Sequence, residues 1–169
     1  QEYLESDTDN LVTEGLPLSP STFEVLGSEH NKQLISGTIS EDVSWQSAGL
    51  FLENSMSLRI GFRVSENIDL NKLKVVVTIN GRTTEFNVND VLTDENGVYR
   101  IYYRGIWATE FEDAMTANFV YDGEIIGQTL NYSINTYIYK KQSDTSNLGL
   151  LVQAIYNYGA SAKKYSEKE

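Results

Sequence analysis

The chain has 169 residues, of which 40% are hydrophobic, and it carries a net charge of −11 from 24 acidic and 13 basic residues, with no cysteine. This length and apolar content fit one domain with a proper core, and the lack of cysteine excludes disulfides, thiolate metal sites and cysteine nucleophiles. The acidic balance argues against nucleic acids and anionic membranes, which bind clustered Lys and Arg, and no apolar stretch reaches the roughly 20 residues of a membrane span.

The first 30 residues are predicted to be an acidic linker or extended segment. They contain seven carboxylates, no Lys or Arg, and both prolines, Pro17 and Pro20. Like charges repel and proline interrupts regular structure. A start without the basic and apolar regions of a signal peptide fits either a cytosolic protein or a mature or trimmed fragment, and the acidic, linker-like start favours the fragment. The folded domain is predicted over residues 31–166.

From about residue 33 onward, apolar residues recur with a period close to two, which predicts β-strands. The clearest case is 56–64, where every second residue is apolar. Asn80-Gly81 and Asp122-Gly123 are predicted hairpin turns, because Asn, Asp and Gly tolerate positive φ. The predicted strands are 34–39, 56–64, 74–79, 83–88, 98–106, 116–121 and 125–132. They predict a mainly β fold, an antiparallel β-sandwich of the immunoglobulin or jelly-roll kind.

Near the C-terminus the period changes to three and four residues, which predicts one or two helices packed on the sandwich. The longer helix is predicted over about 146–165 and a shorter one over 133–141. The apolar face of the longer helix is predicted to consist of Leu148, Leu151, Val152, Ile155, Tyr158 and Ala162.

No catalytic centre is recognisable, and the chain is predicted not to be an enzyme. The single histidine, His30, lies in the acidic N-terminal stretch, so a Ser-His-Asp triad would have to include it. Spacing alone does not test for a paired-carboxylate site, since the two groups meet only in the fold. Glu110, Glu112 and Asp113 form a short acidic connector and are predicted to be solvated.

One loop is rich in oxygen ligands: Asp90, Asp94, Glu95 and Asn96. It lacks the spacing of a calcium-binding loop, so a polar turn is the preferred interpretation. We therefore predict no metal and no cofactor.

Aromatic residues are the candidates for ligand binding, since the chain has 11 Tyr, 6 Phe and 2 Trp. Exposed rings stack on the apolar faces of sugars, whereas most rings in a sandwich simply fill its core. Over 98–106, the alternation places Tyr99, Ile101 and Tyr103 on one face. Arg100, Tyr102 and Arg104 lie on the other, which is too charged for a core. Trp107 follows this strand, and Trp45 stands in a polar run; each is either a plug over the sandwich or an exposed platform. The predicted binding residues are Trp107, Tyr102, Trp45, Arg100 and Arg104.

The stretch 151–162, LVQAIYNYGASA, resembles the LVxALxNYGAAAQ helix that closes a β-sandwich surface domain found in secreted and cell-wall proteins of gut and rumen anaerobes. The resemblance covers about residues 50–165. It implies an extracellular module that stands beside leucine-rich repeats, dockerins or carbohydrate-active domains, and it transfers no catalytic residues. Trp107 occupies a position where the family pattern has a small residue or proline, which favours an acquired binding platform.

Three hypotheses about function follow. The first is a non-catalytic carbohydrate-binding module for a neutral polysaccharide or oligosaccharide, with starch-like α-glucan ahead of plant cell-wall polysaccharide. The second is a structural spacer or protein-interaction domain of an adhesin or scaffold type; a piece of a hydrolase whose catalytic part lies elsewhere is a third. In each case we expect a secreted or cell-surface, multidomain parent, no nucleic-acid partner, no membrane insertion and a monomeric isolated domain. Accessibility of the tryptophans distinguishes the first two.

Overall fold

The computed structural model describes residues 35–51, 56–141 and 147–167. The predicted N-terminal linker, including His30, lies outside the described residues. The described chain forms two compact units. Residues 35–106 and 114–132, without 52–55, are here called the sandwich unit, and residues 107–113, 133–141 and 147–167 the helical unit.

The sandwich unit contains two antiparallel sheets, which confirms the predicted mainly β sandwich. Among the described residues, five strands pair in the order β1-β8-β7-β4-β5 and three in the order β2-β3-β6. The strands are β1 (Ile35–Ser36), β2 (Val43–Phe51), β3 (Ser57–Val64), β4 (Leu73–Ile79), β5 (Arg82–Asn87), β6 (Tyr99–Tyr103), β7 (Met115–Tyr121) and β8 (Glu124–Tyr132). All their pairings are antiparallel.

The core of this unit lies between the two sheets. Strand β3 contributes Leu58, Ile60 and Phe62, all fully buried, as alternation in 56–64 requires. The opposite sheet contributes alternate residues of β4 and β7, whose inward side chains are Leu73, Val75, Val77, Ile79, Met115, Ala117 and Phe119. Phe62 meets Phe119 edge-on across the two sheets, with ring centroids 5.5 Å apart.

Both predicted hairpin turns are confirmed. Asn80 and Gly81 have φ of 47° and 80°, and they join β4 to β5. Asp122 and Gly123 have φ of 50° and 85°, and they join β7 to β8. Two successive positive φ angles define the turn whose twist matches that of the flanking strands.

Strand β2 was not among the predicted strands. Its polar residues Ser44, Gln46 and Ser47 hid the alternation, because a bulge between Trp45 and Ser47 shifts the register in the middle of the strand. Two predicted strands are also longer than the observed ones. The strand predicted over 34–39 ends after Ser36, and that predicted over 98–106 ends at Tyr103.

The helical unit contains both predicted helices, α1 (Ile134–Lys141) and α2 (Asn147–Glu167). Phe111 is buried in this unit, and Gly159 of α2 lies so close to it that an added Cβ would stand 2.4 Å from Phe111 Cδ2. The glycine of the LVQAIYNYGASA motif therefore permits the helix to approach this ring. Tyr158, predicted on the apolar face of this helix, is instead 50% exposed.

The acidic connector differs from its prediction at one position. Glu110 is buried, because its carboxylate caps a short 3₁₀ turn, Ala108–Glu110, and accepts a hydrogen bond of 3.0 Å from the Trp107 amide. Glu112 is partly exposed and forms an ion pair with Lys163 of α2.

None of the described helices has the length and apolar character needed to cross a bilayer.

Candidate binding cleft

Three of the five predicted binding residues, Arg100, Tyr102 and Arg104, line one cleft of about 540 Å³ in the sandwich unit. The other lining residues are Phe86, Asp90, Val91, Leu92, Thr93, Asp94, Val98 and Ile101. Strands β5 and β6 are edge strands of the two sheets, and the connection between them forms one wall of the cleft. The cleft therefore lies along one side of the sandwich.

Strand β6 presents its residues as its alternation predicts. Ile101 and Tyr103 are buried toward the core, and Tyr99 stacks on Phe62 with ring centroids 5.4 Å apart. Arg100 and Tyr102 are half-buried on the opposite face. The predicted division of the strand residues into two faces is therefore confirmed over the five residues of β6.

The outer face of the three-stranded sheet continues from the cleft as a row of cations and rings. Register places Arg59 of β3 between Gly49 of β2 and Tyr102 of β6. The Arg59 guanidinium carbon lies 5.5 Å from the centroid of the Phe51 ring. That ring lies 5.1 Å from the ring of Tyr102, and the Arg104 guanidinium carbon lies 6.0 Å from the Tyr102 ring. Cations within about 6 Å of an aromatic ring are attracted by its electron-rich face. We call Arg59, Phe51, Tyr102 and Arg104 the cation–ring row.

Asp94 connects the loop that forms one wall of the cleft to strand β6. Its carboxylate accepts hydrogen bonds from the amides of Asn96 (2.8 Å) and Val98 (3.1 Å), and it forms an ion pair with Arg100. The Val98 amide, more than the other groups, holds the pKa of Asp94 below its ordinary value, and Arg100 acts in the same direction. The Asp94 carboxylate of this oxygen-rich loop is thus engaged by an arginine and two backbone amides, as in a polar turn.

This arrangement predicts a pH dependence. Because the pKa of Asp94 is lowered on folding, its contribution to stability is present above the unfolded value, about 3.9, and is lost as pH falls through the lower folded value. We expect Asp94→Asn to be less stable than the parent chain at pH 7, and the difference to shrink below about pH 4. Urea denaturation of both proteins at pH 7, 4 and 2.5 measures it. A difference that stays constant over this range would show that the charge of Asp94 does not contribute. Asp90→Asn is the matched control, since Asp90 also lines the cleft.

The sequence did not point to several residues of this surface. Arg59 was recognisable in principle, because the alternation of 56–64 places it opposite the buried Leu58 and Ile60. Its proximity to Phe51 was not, since β2 was not predicted. Leu92 lines the cleft while 87% exposed, an unusual state for a large apolar side chain that no local pattern indicated.

Trp45, predicted as a sugar platform, is a core residue and leaves the candidate site. It is only 9% exposed, and its ring stacks on Phe119 with centroids 3.9 Å apart. It also meets Phe62 edge-on, and its Nε1 donates a hydrogen bond of 2.7 Å to the Gln128 carbonyl. The sequence around Trp45 looks solvent-exposed because the polar residues on either side, Ser44 and Gln46, point outward from β2.

Trp107 is 61% exposed, as an open platform requires. It belongs to the helical unit, whereas the cleft is lined only by residues of the sandwich unit. Its role in binding stays a prediction.

Among the described residues, no group of three or more His, Cys, Asp or Glu side chains is arranged to hold a metal ion. Comparison of the chain with models of protein families, with curated proteins and with solved structures finds no match.

Proposed function

We propose that this chain is a non-catalytic carbohydrate-binding module and that its binding surface is the cleft beside β6. The observation that carries this proposal is the position of Tyr102, a half-buried ring at the cleft with one arginine against it and another beside it on the same strand. Ligand sites typically combine apolar and aromatic walls with a few polar groups that fix orientation.

The cleft offers the two contacts that a sugar needs. The Tyr102 ring and the exposed Leu92 supply apolar surface for the C–H face of a pyranose. The guanidinium groups of Arg100 and Arg104 supply several N–H donors for hydroxyl oxygens. The carboxylate of Asp94 orients Arg100 through its ion pair, so this donor group is held in place before ligand arrives.

Each contact of this kind contributes about 1 kcal/mol, so about four of them correspond to roughly millimolar affinity. Such binding becomes effective when several modules act together on one polymer. An extracellular, multidomain parent, as the resemblance of the helix motif implies, provides that setting. From the sequence, starch-like α-glucan is favoured over plant cell-wall polysaccharide, and the assay includes both classes.

Tyr102→Ala is the first test of the site. We expect it to weaken binding about tenfold for whichever polysaccharide retards the parent chain. The reason is that the variant loses the stacking ring and the surface against which Arg104 lies. Affinity electrophoresis of both proteins in soluble starch, xylan, β-glucan and pectin measures the effect. Tyr165→Ala is the matched control, since Tyr165 is an exposed tyrosine in the helical unit. Equal retardation of Tyr102→Ala and the parent would remove the cleft, and unretarded migration of the parent in every gel would remove the function.

A structural spacer or protein-interaction domain is the second candidate. The observation that favours it is Trp45, one of the chain's two tryptophans, which fills the core instead of facing a ligand. Failure of the parent chain to bind any polysaccharide would leave this candidate.

A further inference from the structure

The cleft beside β6 lies between two chain segments that meet at one point and then separate. Residues 91–94 of the connection face β6, and the described residues of these two segments pair only at Thr93 and Tyr99, in an antiparallel bridge. The turn that follows is closed by the Asp94 amide, which donates a hydrogen bond of 2.9 Å to the Val98 carbonyl. The cleft is therefore a slot with two walls, the connection and β6.

Apolar side chains line both walls of this slot. Val91 and Leu92 belong to the connection, and Ile101 and Tyr102 belong to β6. Leu92 is 87% exposed, so its apolar surface is available to a ligand. The Tyr102 ring is supported by Phe51 of the cation–ring row, with ring centroids 5.1 Å apart. A flat ligand in the slot can therefore contact apolar surface on both of its faces.

The charged side chains of the cleft balance one another. Two are acidic, Asp90 and Asp94, and two are basic, Arg100 and Arg104, so their formal charges sum to zero. Ionised carboxylates only accept hydrogen bonds, and guanidinium groups only donate them. A hydroxyl group both donates and accepts. The lining therefore suits an uncharged ligand with many hydroxyl groups, in preference to an anionic or a cationic one.

We infer that the ligand is a neutral β-1,4-linked polysaccharide with flat, equatorially substituted sugar rings, the class of cellulose-type glucans and xylans. This rests on the proposed glycan-binding function, and it selects the plant cell-wall class over the starch-like α-glucan favoured from sequence. In such a chain the linkages and hydroxyls lie near the plane of each ring. Both ring faces then present C–H groups, and the chain is a flat ribbon.

An α-1,4-linked glucan has the same hydroxyls but a different shape. Each of its linkages leaves one sugar through an axial bond, which sets successive rings at an angle and bends the chain into a helix. Such a curved chain presents one side to a protein surface. Two apolar walls, one with Leu92 and one with Tyr102, suit the ribbon better, because its rings are contacted on both faces.

The polar groups of the slot complete this fit. Hydroxyls in the plane of a sugar held between Leu92 and Tyr102 meet the side chains of Asp90 and Arg100, which line the same cleft. Arg100 is already oriented by its ion pair with Asp94. Fewer side-chain conformations are therefore lost when the ligand binds.

The test compares tetrasaccharides that differ in linkage. Backbone amide chemical shifts of the whole chain are followed by nuclear magnetic resonance during titration with cellotetraose, xylotetraose and maltotetraose. Cellotetraose and maltotetraose have the same composition and differ only in the configuration of their linkages. We expect cellotetraose to bind about tenfold more tightly than maltotetraose, and to shift the amides of both Leu92 and Tyr102.

Leu92→Ala tests the second wall. We expect it to weaken cellotetraose binding about fivefold and maltotetraose binding less than about twofold, because only the ribbon uses both walls. Ile125→Ala is the matched control, since Ile125 is an exposed apolar residue of β8 in the other sheet. Circular dichroism melting curves verify that both exposed substitutions leave the fold intact.

Maltotetraose that binds as tightly as cellotetraose, or more tightly, would overturn this inference and leave the glycan-binding function standing. The same conclusion follows if neither cellotetraose nor xylotetraose shifts any amide while one of the four polysaccharides retards the chain in the gels. An equal loss of affinity for cellotetraose and maltotetraose in Leu92→Ala would show that the second wall does not set the linkage preference, and would also overturn the inference. No shift with any tetrasaccharide and no retardation in any gel would overturn both proposals.

Discussion

Replacing Trp45 with alanine is expected to lower the free energy of unfolding by about 3–5 kcal/mol. The indole is buried between the two sheets, where it stacks on Phe119 and meets Phe62 edge-on. Its removal leaves a cavity in a packed interior, and the chain around it relaxes only in part. The substitution also deprives the Gln128 carbonyl of the donor that lies 2.7 Å away. Urea denaturation followed by far-ultraviolet circular dichroism measures the loss.

Trp107→Ala is the matched control, because this second tryptophan is 61% exposed. We expect its substitution to change the free energy of unfolding by less than about 0.5 kcal/mol. Trp45→Phe separates packing from hydrogen bonding, since it retains a ring and removes the Nε1 donor. In the Trp107→Phe background, Trp45 is the single indole, and acrylamide should hardly quench its fluorescence. Strong quenching there, or a cost of Trp45→Ala as small as that of Trp107→Ala, would contradict the core position.

Gly127→Ala is expected to cost about 2–4 kcal/mol, from backbone strain and crowding together. Gly127 lies in β8 with φ of +67°, where the register with β7 shifts between Ala117 and Phe119. An added Cβ would stand 2.8 Å from Cγ2 of Val43 in the opposite sheet. A residue that carries a Cβ is strained at this φ, whereas glycine is not. In addition, the crowded methyl group pushes the two sheets apart locally. Thermal and urea unfolding measure the cost.

The control separates the two causes. Gly123 has a similar φ of +85°, but a Cβ added there meets nothing within 4 Å. Gly123→Ala therefore reports strain alone, at about 1 kcal/mol. In the double variant Val43→Ala/Gly127→Ala, removal of the Val43 methyl groups should return part of the crowding cost relative to the sum of the single variants. If Gly127→Ala costs no more than Gly123→Ala, the close approach of the sheets at this point is wrong.

Much of the sandwich could be predicted because its signals are local. In 56–64 the side chains of a single strand must alternate between the two faces, so the order of apolar and polar residues identifies the buried side. The turns at Asn80-Gly81 and Asp122-Gly123 have a short-range cause as well, since few residues adopt two consecutive positive φ angles. The face of Arg100 and Tyr102 follows from the same alternation in β6.

Trp45 shows why other features could not be predicted. The bulge after it interrupts the alternation of β2, and a polar run with a broken period does not reveal which neighbours face the core. Whether its ring is buried depends on Phe119, a residue 74 positions further along the chain in the other sheet. No local pattern contains such a contact.

Local patterns were enough to predict the β-strands, the hairpins, the two C-terminal helices and the strand face that carries Arg100 and Tyr102, because each depends on residues within one element or one turn. Tertiary structure alone decided that Trp45 is core, that Arg59 and Phe51 stand beside Tyr102, and that the connection from β5 to β6 walls a cleft. The physical reason is that strand register and sheet packing join residues that are distant along the chain. A surface built across three strands therefore exists only once those strands have paired.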